Sequence, residues 1–226
     1  MLIIAIPKSA STSLLQTIGR VHYLPSKQVM HSDLPVPGGF TALGRIHSDV
    51  REYTEEHITE FTAADRFHKQ HIPPTENNCA MLGNTPRVVL LREPLEVIEA
   101  YWRAFKKGVI KGRPEFAGIT SSEEWLERAT SIGLLNELER FHEGWTTSDP
   151  SMTCVITYKD LLDQPRQTIN RIEEFFKLPV TRCDIELARA RYTRDSAVVT
   201  VASRLAGRAR SLSARAARLL LPRRGD

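Results

Sequence analysis

The chain has 226 residues, 41% of them apolar and 26% charged, which suits one α/β domain with a sizeable core, alone or with a tail. Its net charge of +4 is unevenly spread: residues 203–226 hold seven Arg against one Asp, or +6, which leaves −2 on residues 1–202. A near-neutral body excludes a nucleic-acid-binding face across the fold, and no apolar run is long enough for a membrane span.

Leu2–Ile6 is a short apolar run ending in Pro7-Lys8, followed by the small hydroxyl-rich stretch Ser9-Ala10-Ser11-Thr12-Ser13 and then an apolar-periodic segment. This reads as a buried strand over 2–7, a tight turn and a helix over 11–20. A connection rich in Pro and Gly follows from about 24 to 40, then a helix near Val50–Phe61 and a short extended piece near Arg66–Ile72. Arg87–Leu91 is β-branched-rich and reads as a second buried strand. Pro94 at a first helical position opens the amphipathic stretch Leu95–Phe105. Ser122 with Glu123 and Glu124 starts a helix over Trp125–Ala129, and Leu134–Trp145 is periodic with Leu134, Leu135, Leu138, Phe141 and Trp145 on one face. Cys154–Tyr158 reads as another buried strand, Lys159–Leu162 leads away from it, and Pro165–Lys177 forms the next helix. Strands alternating with helices predict an α/β fold, a parallel sheet covered by helices on both faces, over residues 1–202.

Residues 203–226 form a basic tail with Leu205, Leu212 and Leu219 spaced by seven among arginines, which predicts an amphipathic helix. It either docks on the body with its arginines solvated or makes peripheral contact with an anionic membrane surface. Cys79, Cys154 and Cys183 are few, odd in number and lack metal-ligand spacing, so reduced thiols in a cytoplasmic protein are expected. A strand starting at Leu2 leaves no room ahead of it for a signal peptide, which fits the same compartment.

Ligands on parallel sheets sit at the carboxyl ends of strands. Two such ends carry a cation, Lys8 after the first strand and Arg92 after Arg87–Leu91. A strand-to-helix turn aims free backbone N–H groups and the positive end of the helix dipole at one point. Lys8 adds a mobile charge there, and Ser9, Ser11 and Thr12 add hydroxyls. The two turns together predict a site for a phosphate-like anion.

Pro7-Lys8-Ser9-Ala10-Ser11-Thr12-Ser13-Leu14 resembles the phosphosulfate loop of the sulfotransferases, PKSGTTWL. Lys69-Gln70-His71-Ile72-Pro73 is similar to the family's K-T-H-L-P segment, and Arg87–Trp102 is similar to its 3′-phosphate element, a strand followed by R-N-P-x-D-V-x-x-S-Y-Y. Tyr158-Lys159-Asp160-Leu161 and Phe175–Pro179 resemble its Y-E-D-L and E-F-L-G-L-P, so the likeness anchors residues 2–180. The resemblance implies a P-loop-NTPase-like parallel sheet and transfer of a sulfuryl group from 3′-phosphoadenosine 5′-phosphosulfate to a hydroxyl acceptor, a small molecule or glycan, with no metal ion. It implies Lys8 and His71 as catalytic residues. Donor binding falls to Lys8, Ser9, Ala10, Ser11, Thr12 and Ser13 on the loop, Arg92 at the 3′-phosphate and Tyr158 at the adenine.

Several positions depart from the family pattern. Ala10 replaces the loop glycine, Ser13 stands where animal cytosolic members carry an adenine-stacking tryptophan, and Ala100 stands where a serine binds the 3′-phosphate. The C-terminal Arg-Lys-Gly element is not found, which leaves Arg103 or Arg194 to complete that site. His47 and His68 are alternative bases. Two other readings stand beside transfer: a non-catalytic nucleotide-binding relative, and a P-loop kinase acting on a small hydroxyl compound. The kinase needs G-x-x-x-x-G-K-[ST], whereas here lysine precedes the hydroxyl run without flanking glycines.

Overall fold

The computed structural model describes residues 1–108 and 114–180, and the tail from residue 203 lies outside them. Five strands form one all-parallel sheet: β1 (Leu2–Ala5), β2 (Ser26–Lys27), β3 (Phe67–Gln70), β4 (Arg87–Leu91) and β5 (Thr153–Thr157), in the order β2-β3-β1-β4-β5. β1 lies at the centre, paired to β3 through Ile4↔Gln70 and to β4 through Ala5↔Leu90. The chain leaves β1 towards β2 and β3 on one side and returns to β4 and β5 on the other. That reversal opens a crevice at the carboxyl end of β1, the position where such sheets take ligands.

Both faces of the sheet are covered, as alternation along β1 requires. Ile3 and Ala5 point to one layer with Val88, Leu90 and Ile156, closed by Leu14 and Ile18 of α1 (Ser11–Val21) and Ile169 and Ile172 of a later helix, Pro165–Phe175. Leu2, Ile4 and Ile6 point to the other with Val89 and Leu91. Five helices follow β1 on the way to that second layer: α2 (Thr41–Ile46), α3 (Glu55–Phe61), α4 (Glu76–Leu82), α5 (Pro94–Lys106) and α6 (Ser122–Ser131). α7 (Leu134–Thr146) contributes Leu138, Phe141 and Trp145, all sealed from solvent. Burying a side chain of this size contributes about 1.5–3 kcal/mol, so the two layers account for most of what holds the sheet.

Local signals set the helix ends. Pro94 and Glu96 sit in the first turn of α5, with Arg103 and Lys106 in its last. α6 starts one residue earlier than expected, because Ser121 rather than Ser122 caps it, in a reciprocal box with Glu124. Tyr158 is not the last residue of β5. Thr157 and Asp160 form a second capping box that starts α8 (Tyr158–Asp163) directly at the strand's end, and the Pro165–Phe175 helix follows as α9. α2, α4 and the two-residue β2 carry no periodicity long enough to be seen in the sequence. No described helix is long and apolar enough to cross a membrane, and Cys79 and Cys154 are free thiols.

Candidate active site

The turn after β1 is held in an unusual backbone conformation. Lys8 has φ +61° and Ala10 φ +66°, left-handed values that cost an L-residue roughly 1–2 kcal/mol each. Three bonds hold the turn: the Ile6 amide donates to Leu90 O at 2.9 Å, Ser9 Oγ donates to Ile6 O at 2.7 Å, and the Ser13 amide donates to Ala10 O at 2.9 Å. In the same turn the backbone N–H groups of Ser9, Ala10, Ser11 and Thr12 donate to no atom of the described residues. They lie on the turn that leads into α1, the kind of place where anions are bound. The buried Ser9 hydroxyl is committed to the turn, so this residue offers the cradle only its amide.

Lys8 is half-buried, and its ammonium has neither an ion pair nor a hydrogen bond among the described residues; it lies 5.5 Å from the centre of the Tyr101 ring. Burial lowers its pKa from the usual lysine value. A partly desolvated cation on the turn that carries four free amides is a combination suited to an anion.

His71 stands just past β3, with 4% of its surface exposed. Its Nδ1 lies 2.6 Å from the carbonyl oxygen of Ala5, which can only accept, so Nδ1 carries the proton and Nε2 is left basic. Lys69 Nζ lies 3.0 Å from that Nε2. Burial, then the charge of Lys69, holds the imidazole well below its ordinary pKa, so it is neutral at pH 7. Lys69 is itself pushed down to about 8 by burial. Two further contacts fix the segment: Asp49 Oδ2 accepts from the His71 amide at 3.2 Å, and Trp145 Nε1 donates to Ile72 O at 3.0 Å.

Arg92 sits beyond β4. Its Nη1 donates to the Lys8 carbonyl at 2.8 Å, its Nε to Glu96 at 3.1 Å, and the guanidinium lies 3.9 Å from the centre of the Tyr158 ring. Nη2 has no hydrogen-bond partner among the described residues. Lys8, His71, Arg92 and Tyr158 thus stand at the carboxyl ends of the adjacent strands β1, β3, β4 and β5. Thr12 is exposed and Ser13 half-buried at the start of α1. Ala100, halfway along α5, offers no polar group where the family pattern has a serine.

Lys69 and Asp49 carry no role in the sequence reading, and His47 only that of an alternative base. Lys69 is separated from His71 by one residue, the alternation that puts strand residues on one face, so its signal was present. His47 lies with its ring centre 4.9 Å from that of His71, and its Nε2 is 2.5 Å from the Tyr101 hydroxyl. Burial and then His71 keep His47 well below its usual pKa. Asp49 is fully buried; Oδ2 accepts from Gln28 Nε2 at 2.8 Å, and Oδ1 has no hydrogen-bond partner. Of the two alternative bases, His47 is in the site, whereas His68 pairs in register with Leu2 at the other end of β1. His47, Asp49 and His71 bring three ligand atoms within 4.8 Å of one another. The ammonium groups of Lys69 and Lys8 already supply positive charge there and oppose a divalent ion.

The sulfotransferase domain matches residues 1–202. The chain belongs to the sulfotransferase family. Its fold is similar to the crystal structure of mouse sulfotransferase SULT7A1 complexed with PAP (TM-score 0.57, 13% identity, covering 85% of this chain and 63% of that one). It is also similar to a sulfotransferase from Alicyclobacillus acidocaldarius (TM-score 0.51, 12% identity, 82% and 86% covered). A third similar structure is retinol dehydratase in complex with androsterone and inactive cofactor PAP (TM-score 0.52, 14% identity, 85% and 63% covered). The chain spans less than two thirds of the mouse enzyme and of retinol dehydratase. At these identities the structural likeness is one of fold. No curated protein matches the sequence significantly.

Proposed function

We propose that this sulfotransferase-family chain moves a sulfuryl group from 3′-phosphoadenosine 5′-phosphosulfate to a hydroxyl acceptor. The observation that carries the reading is the unpaired, half-buried Lys8 ammonium among four free loop amides, with a neutral imidazole and a second cation around the same crevice.

The donor supplies an activated sulfuryl group on a phosphate of low basicity; the acceptor oxygen bonds to sulfur as the bond from sulfur to the bridging oxygen breaks. What falls to the protein is positioning and charge stabilisation, as in phosphoryl transfer. The amides of Ser9, Ala10, Ser11 and Thr12 hold the 5′-phosphate, with Ser13 beside them at the start of α1. Lys8 neutralises charge gathering on the departing phosphate oxygen. Arg92 presents Nη2 to the 3′-phosphate, and Tyr158, stacked behind it, borders the adenine.

His71 Nε2 takes the proton of the acceptor hydroxyl. In the free protein that nitrogen carries the Lys69 ammonium, so the base works only once Lys69 turns away. A second anion in the crevice is what would draw it off. His47 faces the acceptor side of His71, held by Tyr101, and the polar surroundings of Asp49 and His47 suit a carbohydrate or another polar alcohol.

The reading is tested by calorimetry with adenosine 3′,5′-bisphosphate, followed by labelled-sulfate transfer across a panel of glycans, lipid headgroups and phenols. Binding of the bisphosphate without magnesium and transfer to a polar alcohol support it. Failure to bind the bisphosphate refutes it, and binding with no transfer to any acceptor favours the non-catalytic relative.

A further inference from the structure

Arg92 touches more than its expected ligand. The carbonyl of Lys8 accepts from Arg92 Nη1 across 84 positions of sequence, and no other described group donates to it. Lys8 is in the left-handed region, as is Ala10 two residues on, and no loop glycine eases either. Such a conformation persists only where its surroundings impose it. Glu96 on Nε and the ring of Tyr158 against its face hold the guanidinium in turn, and its side chain is only 9% exposed. The loop is therefore braced from outside by a charged, oriented donor on the neighbouring strand end.

We propose that Arg92 is a positioning residue for the 5′-phosphate loop as well as the group that meets the 3′-phosphate, so that both phosphate sites are read through one guanidinium. The inference rests on the sulfuryl-donor reading for its ligands. The brace itself is a property of the free protein. Removing Arg92 disorganises the cradle formed by Ser9, Ala10, Ser11 and Thr12, and weakens even nucleotides that have no 3′-phosphate. It also explains how the site tolerates Ala100: the 3′-phosphate bears on a guanidinium already fixed at three points.

The test compares adenosine 5′-monophosphate with adenosine 3′,5′-bisphosphate by calorimetry, in the wild type and in Arg92→Met, whose apolar stem still covers Tyr158. Amide hydrogen exchange of residues 7–12 is followed in parallel without ligand. Loss of a charged hydrogen bond predicts at least about tenfold weaker monophosphate binding and about tenfold faster loop exchange in Arg92→Met. A monophosphate affinity within about threefold of wild type overturns the proposal, since Arg92 then serves the 3′-phosphate alone. Weaker binding with unchanged loop exchange overturns it too, because long-range attraction then explains the loss. Should Arg92→Met fail to fold, Glu96→Gln frees the guanidinium without removing it, and loop exchange must still rise. If the wild type binds neither nucleotide, the donor reading fails, while the exchange measurement still decides the role of Arg92.

Discussion

Replacing Lys69 by Met should make the protein more stable. Lys69 is 2% exposed and its pKa falls from 10.5 to about 8 through burial. At about 1.4 kcal/mol per unit, holding the ammonium inside costs roughly 3 kcal/mol at pH 7, with the attraction of Asp49 already included. Methionine removes that cost and also the bond to His71 Nε2, worth about 1 kcal/mol. The net gain of roughly 1–2 kcal/mol corresponds to a melting temperature about 3–7 °C higher for a domain of this size. The pH dependence identifies the cause. Below pH 8 the lysine is charged both folded and unfolded, and the cost is felt in full. Between about pH 8 and 10.5 the folded state loses its proton first, so the wild type gains stability as pH rises. The gap between variant and wild type should therefore close across that window, followed by differential scanning calorimetry at a series of pH values. A variant that melts at or below the wild type at pH 7, or a gap constant to pH 10.5, would refute the reasoning.

Ala10→Gly relieves one left-handed residue and should raise stability by about 1 kcal/mol, read as a higher unfolding midpoint in urea with bisphosphate affinity preserved. His71→Ala should keep bisphosphate binding while transfer drops about 10²–10⁴-fold, the range for a lost general base; unchanged transfer would end its role. His47→Ala should leave donor affinity alone and raise the acceptor KM, and a change confined to donor binding would place His47 elsewhere. Glu137, buried, accepts the Ala42 and Leu43 amides at 2.9 and 2.7 Å. Glu137→Ala should cost about 1–3 kcal/mol by leaving both unpaired, and should loosen the α2 segment that ends at His47.

Legibility in the sequence followed the range of the forces involved. The β1 turn and the β4–α5 junction were readable because everything that shapes them is local: an apolar strand, a helix-starting Pro94 and a cation at each strand end. Lys69 was readable in principle through its alternation with His71. Asp49 was not, and His47 only as one of several candidate bases, because they sit on a connection without periodicity whose position is set from afar. Glu137 caps the start of α2 across 95 positions, and Asn78 Oδ1 accepts the Tyr53 amide at 2.9 Å from the start of α4. Side chains placed by such non-local bonds leave no pattern in their own neighbourhood. Tyr158 shows a milder version. Its strand was recognised, but the Thr157–Asp160 box turned it into the first residue of a helix and laid it against Arg92.

The charges around the crevice explain why these elements are worth their cost. Lys8, Lys69 and Arg92 converge on it, while Asp49 and Glu96 are the carboxylates drawn in, the first fully buried and the second exposed. The free site is therefore electropositive within a body of net charge −2 over residues 1–202. Because the partly desolvated cations are screened weakly, the attraction is directed at the crevice rather than spread over the surface. Two residues bear the backbone strain of the loop, and two lysines, Lys8 and Lys69, bear a cost of desolvation, all at the carboxyl ends of β1 and β3. Strain and buried charge that serve only the fold would have been scattered; their convergence is what a bound polyanion accounts for. On this view a bisphosphate should stabilise the protein more than the sum of its two phosphate contacts taken singly. It relieves Lys8 and secures the loop through Arg92 in one binding event, so monophosphate and inorganic phosphate added together should fall short of the bisphosphate in thermal shift by more than their summed binding predicts. Equal shifts would mean that the two ends of the crevice act independently.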